Sequence, residues 1–143
     1  MELEGCVWKE KSHWLIEVLS LNIMTQGYTR KEALEMIRDA IKEILASYFS
    51  PERSIAVEIT INLYSKGVIG VSASDERLLF SLALRRLREE SGTTVREASK
   101  RLGSDSPNAY AQYERGKFNI TLEKFDELLR AANPQRKSLL SVV

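Results

Sequence analysis

The stretch TVREASKRLGSDSPNAYAQYERGK, residues 94–117, carries the clearest structural signals in the chain. Thr94 opens a capping box, which predicts the start of a short helix, and Gly103 supplies the left-handed residue that commonly ends one. Ser106 followed by Pro107 predicts a second short helix, with Ser106 as its N-cap and proline at its first position. Two short helices joined by a tight turn form a helix-turn-helix.

The outward face of the second helix is polar. At the i, i+3, i+4, i+7 spacing of one helical face it holds Asn108, Ala111, Gln112 and Arg115. Asn and Gln pair bidentately with adenine, Arg suits guanine or a phosphate, and the small Ala111 allows close approach. The spacing favours a helix in the DNA major groove, although a generic four-helix unit with a polar face also fits. The candidate DNA-binding residues, with cations for phosphate contacts, are Ser106, Asn108, Ala111, Gln112, Arg115, Lys117, Lys100 and Arg101.

Apolar helices flank this motif. A leucine-rich helix is predicted over 75–91, and its first turns are apolar nearly all round, which implies burial on more than one side. A further helix is predicted to begin at Thr121 and to end before Pro134. The apolar C-terminal segment SLLSVV, residues 138–143, fits an added dimer contact and a disordered tail equally well.

The first half of the chain mixes strand and helix patterns. Residues 5–18 predict two strands joined by a turn, and residues 21–24 are a candidate third strand. Thr29 is the predicted cap of a helix that extends to residue 48 and ends at Ser50–Pro51. The alternation in IAVEITI, residues 55–61, predicts a strand with one buried face.

These patterns predict an α+β protein with two domains. Residues 1–72 are expected to form a β-sheet-plus-helix domain, and residues 73–143 an all-α helix-turn-helix domain. Gly67 and Gly70 make a GxxG, which also occurs in nucleotide-clamping loops. Because the two residues between these glycines are apolar and not basic, a flexible connection between the halves is the favoured interpretation.

The net charge of +1 hides a difference between the halves. Residues 1–74 carry 8 Lys/Arg and 10 Asp/Glu, whereas residues 75–143 carry 13 Lys/Arg and 10 Asp/Glu. A mildly basic half beside a mildly acidic half is typical of a chain with one nucleic-acid-binding module.

Composition excludes several classes of site and protein. The 143 residues are 43% apolar and 29% charged, as in ordinary globular proteins. One cysteine, Cys6, and one histidine, His13, provide no internal disulfide, cysteine-based zinc site or histidine-driven triad. No apolar run is long enough for a membrane span, and the first residues lack a signal-peptide core. We therefore expect a cytoplasmic protein with no catalytic activity, cofactor, metal or membrane contact.

Residues 82–132 resemble the XRE-type helix-turn-helix family of repressors. The residues that carry this resemblance are Leu87, Glu90, Ala98, Leu102–Gly103, Tyr113–Lys117, Leu122, Leu128 and Leu129. The turn has one residue more than the commonest pattern of that family.

The N-terminal half is similar to HicB antitoxins. The matching residues are Trp14, Glu17, Thr25, Gln26, Gly27, Thr29, Glu32, Ala33, Leu34, Ala40 and Ile41. The resemblance implies a degenerate RNase H-like fold without catalysis that binds and blocks a small RNA-cleaving toxin of the HicA type. It also implies that the C-terminal domain binds the operator of its own operon, and that the protein is a homodimer or homotetramer. It does not assign the toxin-contact residues.

Two other functions fit the sequence. The first is a stand-alone transcriptional regulator whose N-terminal domain senses a ligand or only dimerises. The second is a small nuclease that uses N-terminal acids such as Glu17 and Asp39, although no spacing among these acids is diagnostic of a metal site.

Overall fold

A computed structural model describes residues 1–136, so the C-terminal segment 138–143 lies outside the described residues. The chain is mixed α/β, with an antiparallel sheet followed by helices. Its described residues separate into two compact units, Met1–Asp75 and residues 76–136. Over residues 1–136, no helix combines the length and the apolar character that a membrane span needs.

The first unit is a five-stranded antiparallel sheet with two helices. In chain order its elements are β1 (Leu3–Glu10), β2 (His13–Val18), β3 (Ile23–Gly27), α1 (Arg30–Tyr48), α2 (Pro51–Ala56), β4 (Ile59–Leu63) and β5 (Val68–Ala73). The strand order across the sheet is β3-β2-β1-β5-β4. The two predicted strands within residues 5–18 and the helix after Thr29 are therefore confirmed.

Helix α1 covers one face of this sheet. It begins where the Thr29 hydroxyl accepts a hydrogen bond from the backbone N–H of Glu32 at 3.0 Å, the predicted cap. Its buried stripe consists of Ala33, Ile37, Ile41 and Leu45. The stripe packs on the sheet face that buries Leu3, Val7, Ile16, Val18, Ile23, Ile59, Ile69 and Val71. Each fully buried Ile or Leu contributes about 1.5–3 kcal/mol, so this layer supplies the core of the unit.

The strand predicted over 55–61 is wrong in its first half. Pro51 occupies the first turn of α2, where its missing N–H costs nothing, and the Ser50 carbonyl accepts hydrogen bonds from the next turn. Ile55 is consequently 76% exposed on a helix, although its alternation with Val57 predicted a shared buried face. The strand β4 begins only at Ile59.

The flexible connection predicted around the GxxG is also wrong. Gly70 lies inside β5, where it pairs with Glu4 on one side and Asn62 on the other. Gly67, at φ +74°, ends the turn that joins β4 to β5, which is a conformation that glycine adopts without strain. The two glycines therefore lie in a tight turn and in a strand, not in a flexible connection.

The predicted third strand is displaced. Residues 19–21 form a single 3-10 turn, and β3 begins at Ile23 and continues to Gly27, beyond the predicted end at residue 24. The backbone hydrogen bonds between β3 and β2 hold Thr25–Gly27 in an extended conformation, although glycine favours turns.

The second unit, over the described residues 76–136, contains α3 (Glu76–Ser91), α4 (Val95–Arg101), α5 (Asn108–Glu114) and α6 (Leu122–Ala132). The predicted leucine-rich helix is confirmed as α3. The rings of Phe80 and Phe125 pack with centroids 4.9 Å apart and join α3 to α6. The predicted start of a helix at Thr121 is confirmed, and the Thr121 hydroxyl caps α6 by accepting from the backbone N–H of Lys124 at 3.2 Å.

Gly27 tests the close approach of β3 to α1. A Cβ at this position would lie 2.6 Å from the backbone nitrogen of Ala33, and backbone atoms in a capped helix turn cannot move aside cheaply. We expect Gly27→Ala to lower the free energy of unfolding by about 1–3 kcal/mol, measured by urea denaturation. Gln26→Ala, at the exposed neighbouring position, is the control and should change it by less than about 0.5 kcal/mol. Equal stabilities of the two variants would contradict this packing.

Candidate nucleic-acid interface

Helices α4 and α5 are two short helices joined by a six-residue connection. The Thr94 hydroxyl accepts a hydrogen bond from the backbone N–H of Glu97 at 3.1 Å and begins α4. Gly103, at φ +85°, follows the end of α4 and turns the chain toward α5. The predicted cap and the predicted glycine stop are both confirmed.

Ser99 joins α4 to the start of α5. Its side chain is fully buried, and its hydroxyl donates to the Pro107 carbonyl at 2.8 Å and accepts from the Tyr110 backbone N–H at 3.1 Å. One hydroxyl thereby pairs with the Tyr110 N–H, which belongs to the first turn of α5 where helical partners are lacking. It also adds a second donor to the Pro107 carbonyl, which accepts from the Ala111 N–H at 3.1 Å. The sequence pattern did not predict this role, because a serine within a helix gives no local signal of its distant partners.

The inner side of α5 is held by an ion pair with α3. The Arg88 Nε donates to Glu114 Oε1 at 2.6 Å and its Nη2 donates to Oε2 at 3.1 Å, a bidentate geometry. The two side chains are only 15% and 11% exposed. The Tyr110 hydroxyl donates to the same carboxylate at 2.9 Å. Arg88 also reaches the Thr93 carbonyl at 3.1 Å, so one guanidinium links α3, the loop before α4, and α5.

The ionisation states of these groups suit the network. Hydrogen bonding to Glu114 raises the pKa of Arg88 above its already high value, so the guanidinium stays charged. Burial, and then the adjacent Glu114 carboxylate, raise the pKa of Tyr110, so its hydroxyl stays protonated and acts as a donor. At the end of α5 the Ser81 hydroxyl donates to the Tyr113 carbonyl at 2.6 Å.

The opposite side of α5 faces solvent. Asn108 and Arg115 are exposed, whereas Ala111 and Gln112 are half-buried on the same side. The Gln112 Nε2 lies 3.5 Å from the Ala109 carbonyl, which is too long for a strong hydrogen bond. The amide therefore remains available to another partner. The structure thus brings the predicted outward residues of α5 together on one accessible face.

Around this face, Ser106, Lys100 and Lys117 are exposed. Ser106 is not the predicted side-chain cap of α5, because the helix begins after Pro107 and has no side-chain cap. Instead the Ser106 backbone N–H donates to the Ser104 hydroxyl at 3.1 Å. The extra polar residues of this turn provide their own local hydrogen bond.

Arg101 differs from the other predicted phosphate contacts. Its Nη1 donates to the Ala131 carbonyl at 2.8 Å and to the Thr93 hydroxyl at 3.1 Å, and its Nη2 lies 3.8 Å from Glu97. These contacts tie α4 to the end of α6. Its structural role was not predicted, because the carbonyl that it binds lies 30 residues further along the chain.

The family comparison agrees with this geometry. Residues 84–133 match the family model of the helix-turn-helix, HTH_3. These residues form a helix-turn-helix domain. The match indicates a DNA-binding transcriptional regulator, since it is to a family of DNA-binding domains and not to one of enzymes. No curated protein matches the chain.

Within the helix-turn-helix, Arg96 is a further cation, and no phosphate contact was predicted for it from the sequence. It is exposed on α4, four residues before Lys100 and therefore on the same helical face. The i, i+4 spacing of the two cations is the signal that identifies this pair. We add Arg96 to the candidate phosphate contacts.

The acids considered for nuclease chemistry do not converge. Glu17 projects from β2 on the sheet face opposite α1, whereas Asp39 is exposed on α1 itself. Among residues 1–136, no group of three or more His, Cys, Asp or Glu side chains is placed to hold a metal ion.

Removal of Arg88 tests the ion pair that holds α5. Arg88→Ala leaves the Glu114 carboxylate largely buried without its cation, and we expect a loss of about 3 kcal/mol in the free energy of unfolding. Arg130→Ala is the control, because it breaks the exposed ion pair with Asp126, in which Arg130 is 71% exposed. The control should cost about 0.5 kcal/mol. Chemical denaturation of both variants measures the difference, and equal losses would contradict the role of Arg88.

Proposed function

We propose that this protein represses its own operon by placing α5 in the major groove of operator DNA, and that its N-terminal unit neutralises an RNA-cleaving toxin of the HicA type. In this proposal residues 73–143 form the DNA-binding domain and residues 1–72 the toxin-binding domain. The protein acts by binding, with no catalytic step and no cofactor.

One observation carries the DNA-binding part. The inner side of α5 is fixed by Glu114 and Tyr110, while Asn108, Gln112 and Arg115 share its accessible side. A rigidly held helix with accessible amide and guanidinium groups is what direct contact with base edges requires. Ala111 supports the proposal because a methyl side chain lets the helix approach the groove floor.

Phosphate contacts follow from the cations around α5. Arg96 and Lys100 are exposed on α4, and Lys117 is exposed just after α5. These cations would position the domain without specifying sequence. The helix-turn-helix half has a charge of only +3, from its 13 basic and 10 acidic residues. Tight binding therefore favours a dimer or tetramer, whose recognition helices contact half-sites about 34 Å apart.

Support for toxin neutralisation comes from the resemblance of the first unit to HicB antitoxins. The residues of that resemblance lie on β2, at the end of β3 and along α1. The family implies a degenerate RNase H-like domain that occludes the active site of its toxin. The co-expression experiment below distinguishes this function from that of a stand-alone regulator.

Gln112→Ala tests the groove helix. We expect it to weaken operator binding by about 1–3 kcal/mol and to relax specificity at one base pair of each half-site. Lys117→Ala should instead weaken binding to all sequences alike and lower the slope of log K against log salt by about 1. The matched control is Lys42→Ala, which removes the same charge from the exposed face of α1. Fluorescence anisotropy with the promoter fragment of this gene measures all three, and wild-type affinity in both DNA-face variants would contradict the assignment.

Co-expression tests the antitoxin part. We expect a reading frame for a short basic protein beside this gene, whose expression alone arrests growth. Expression of the present chain should restore growth, and so should Gln112→Ala, since operator contacts are not needed to bind the toxin. A neighbouring frame that has no effect on growth would exclude toxin neutralisation and leave a stand-alone regulator.

A further inference from the structure

One face of the five-stranded sheet carries no helix within Met1–Asp75. Helix α1 packs on the face that contains Val7 and Ile16, and the residues that alternate with these point to the other side. The other face is formed by the even-numbered residues of β1 and their cross-strand partners. We call it the open sheet face.

The centre of the open sheet face is apolar. Trp8 pairs directly with Leu15 on β2, and Cys6 pairs with Val68 on β5. These side chains are half-buried or exposed, and Met24 on the edge strand is 55% exposed. A tryptophan flanked by aliphatic side chains, on a sheet face that no helix of Met1–Asp75 covers, is the type of anchor that protein interfaces bury at their centre.

The charges on this face have one sign. Its strand positions include Glu4, Glu10 and Glu17, and none of them in the described residues is Lys or Arg. Partial burial raises the pKa of Cys6, and the negative charges of Glu17 and Glu4 raise it further.

A fourth carboxylate extends the negative charge toward β4. Glu2 accepts hydrogen bonds from the Asn62 amide and the Tyr64 hydroxyl and lies over Gly70. The hydrogen bond from Tyr64, and then that from Asn62, lower the pKa of Glu2, so this carboxylate stays ionised at neutral pH.

The solvent side of α1 has a different charge pattern. It interleaves both signs, as an ordinary solvated helix face does, with Lys31, Glu35, Arg38, Asp39, Lys42 and Glu43. The single sign on the open sheet face is therefore a local feature and not a property of the whole unit.

We infer that the open sheet face is the docking surface for a cationic protein, with Trp8 and its aliphatic neighbours at the centre and Glu4, Glu10 and Glu17 around them. The inference rests on the proposed antitoxin function and names the surface that performs it. A protein that binds RNA presents Lys and Arg to the phosphates. A carboxylate-bearing face satisfies these cations in place of RNA and so covers the RNA-binding surface.

The same charges disfavour other occupants. Nucleic acid and anionic lipid would bring phosphates against carboxylates, and a second copy of this face would bring carboxylates against carboxylates. Like charges across an interface cost free energy and slow association. A cationic protein is the occupant that the electrostatics favour.

The test uses the full chain and the short basic protein encoded by the neighbouring frame, with binding followed by biolayer interferometry. We expect Glu10→Gln/Glu17→Gln to weaken binding about 10-fold at low salt, mainly through slower association, with a smaller effect at high salt. Trp8→Ala should weaken binding about 30-fold, as expected for an interface hot spot. Glu35→Gln/Glu43→Gln is the matched control, since it removes the same charge from exposed positions on α1; its affinity should stay within twofold.

The outcomes separate this inference from the function on which it depends. If the wild-type chain does not bind the basic protein, both the proposed toxin neutralisation and the proposed docking surface are wrong. If both variants of the open sheet face bind with wild-type affinity, only the proposed docking surface is wrong. A change in the oligomeric mass of the face variants at unchanged affinity would make the surface a self-association interface and overturn the inference. Urea denaturation of each variant, followed by circular dichroism, reports whether the sheet unit is folded. If Trp8→Ala does not fold, the Glu10→Gln/Glu17→Gln variant decides the test.

Discussion

The bidentate ion pair between Arg88 and Glu114 determines where the helix proposed to contact DNA can lie. The carboxylate is at the end of α5, its cation is on α3, and both are largely removed from water. A buried charge that loses its partner is costly, so α5 cannot rotate or slide without breaking this pair. Tyr110 adds a third group to the same carboxylate and extends the constraint to the middle of the helix.

Because the inner side of α5 is fixed in this way, its outer side is fixed too. Asn108, Ala111, Gln112 and Arg115 are accessible because the polar network occupies the positions between them. Ser99 applies a similar constraint at the start of the helix, where its hydroxyl bonds to Pro107 and Tyr110. Rigid placement lowers the entropic cost of a hydrogen bond to a base edge, which links the stability of the domain to its proposed specificity.

The two units present opposite charge patterns, which suit the two proposed partners. The helix-turn-helix has an excess of cations, several of them exposed on α4 and after α5. The open sheet face of the first unit has carboxylates around an apolar centre. A net charge of +1 conceals this division, because the two contributions nearly cancel in the sum.

The sequence predicted those features that depend on local chemistry. The caps at Thr29 and Thr94 and the glycine stop at Gly103 involve groups three or four residues apart, and all are confirmed. The predicted start of a helix at Thr121 is confirmed too. The first half of the strand predicted at 55–61 is wrong because Pro51 begins a helix there. The strand β5 was missed because pairing between distant strands sets its conformation. On the candidate site, the accessible face of α5 followed from helical periodicity, whereas the roles of Ser99, Arg88 and Arg101 depend on partners far along the chain.

The central claim is that the accessible side of α5 is the surface that meets DNA. The most direct measurement is a titration of the ¹⁵N-labelled chain with the promoter duplex of its own gene, followed by amide chemical shifts. The account predicts the largest shifts at the start and outer side of α5 and at Lys100 and Lys117, with β1–β5 unchanged. Large shifts confined to the sheet, with α5 unaffected, would contradict it.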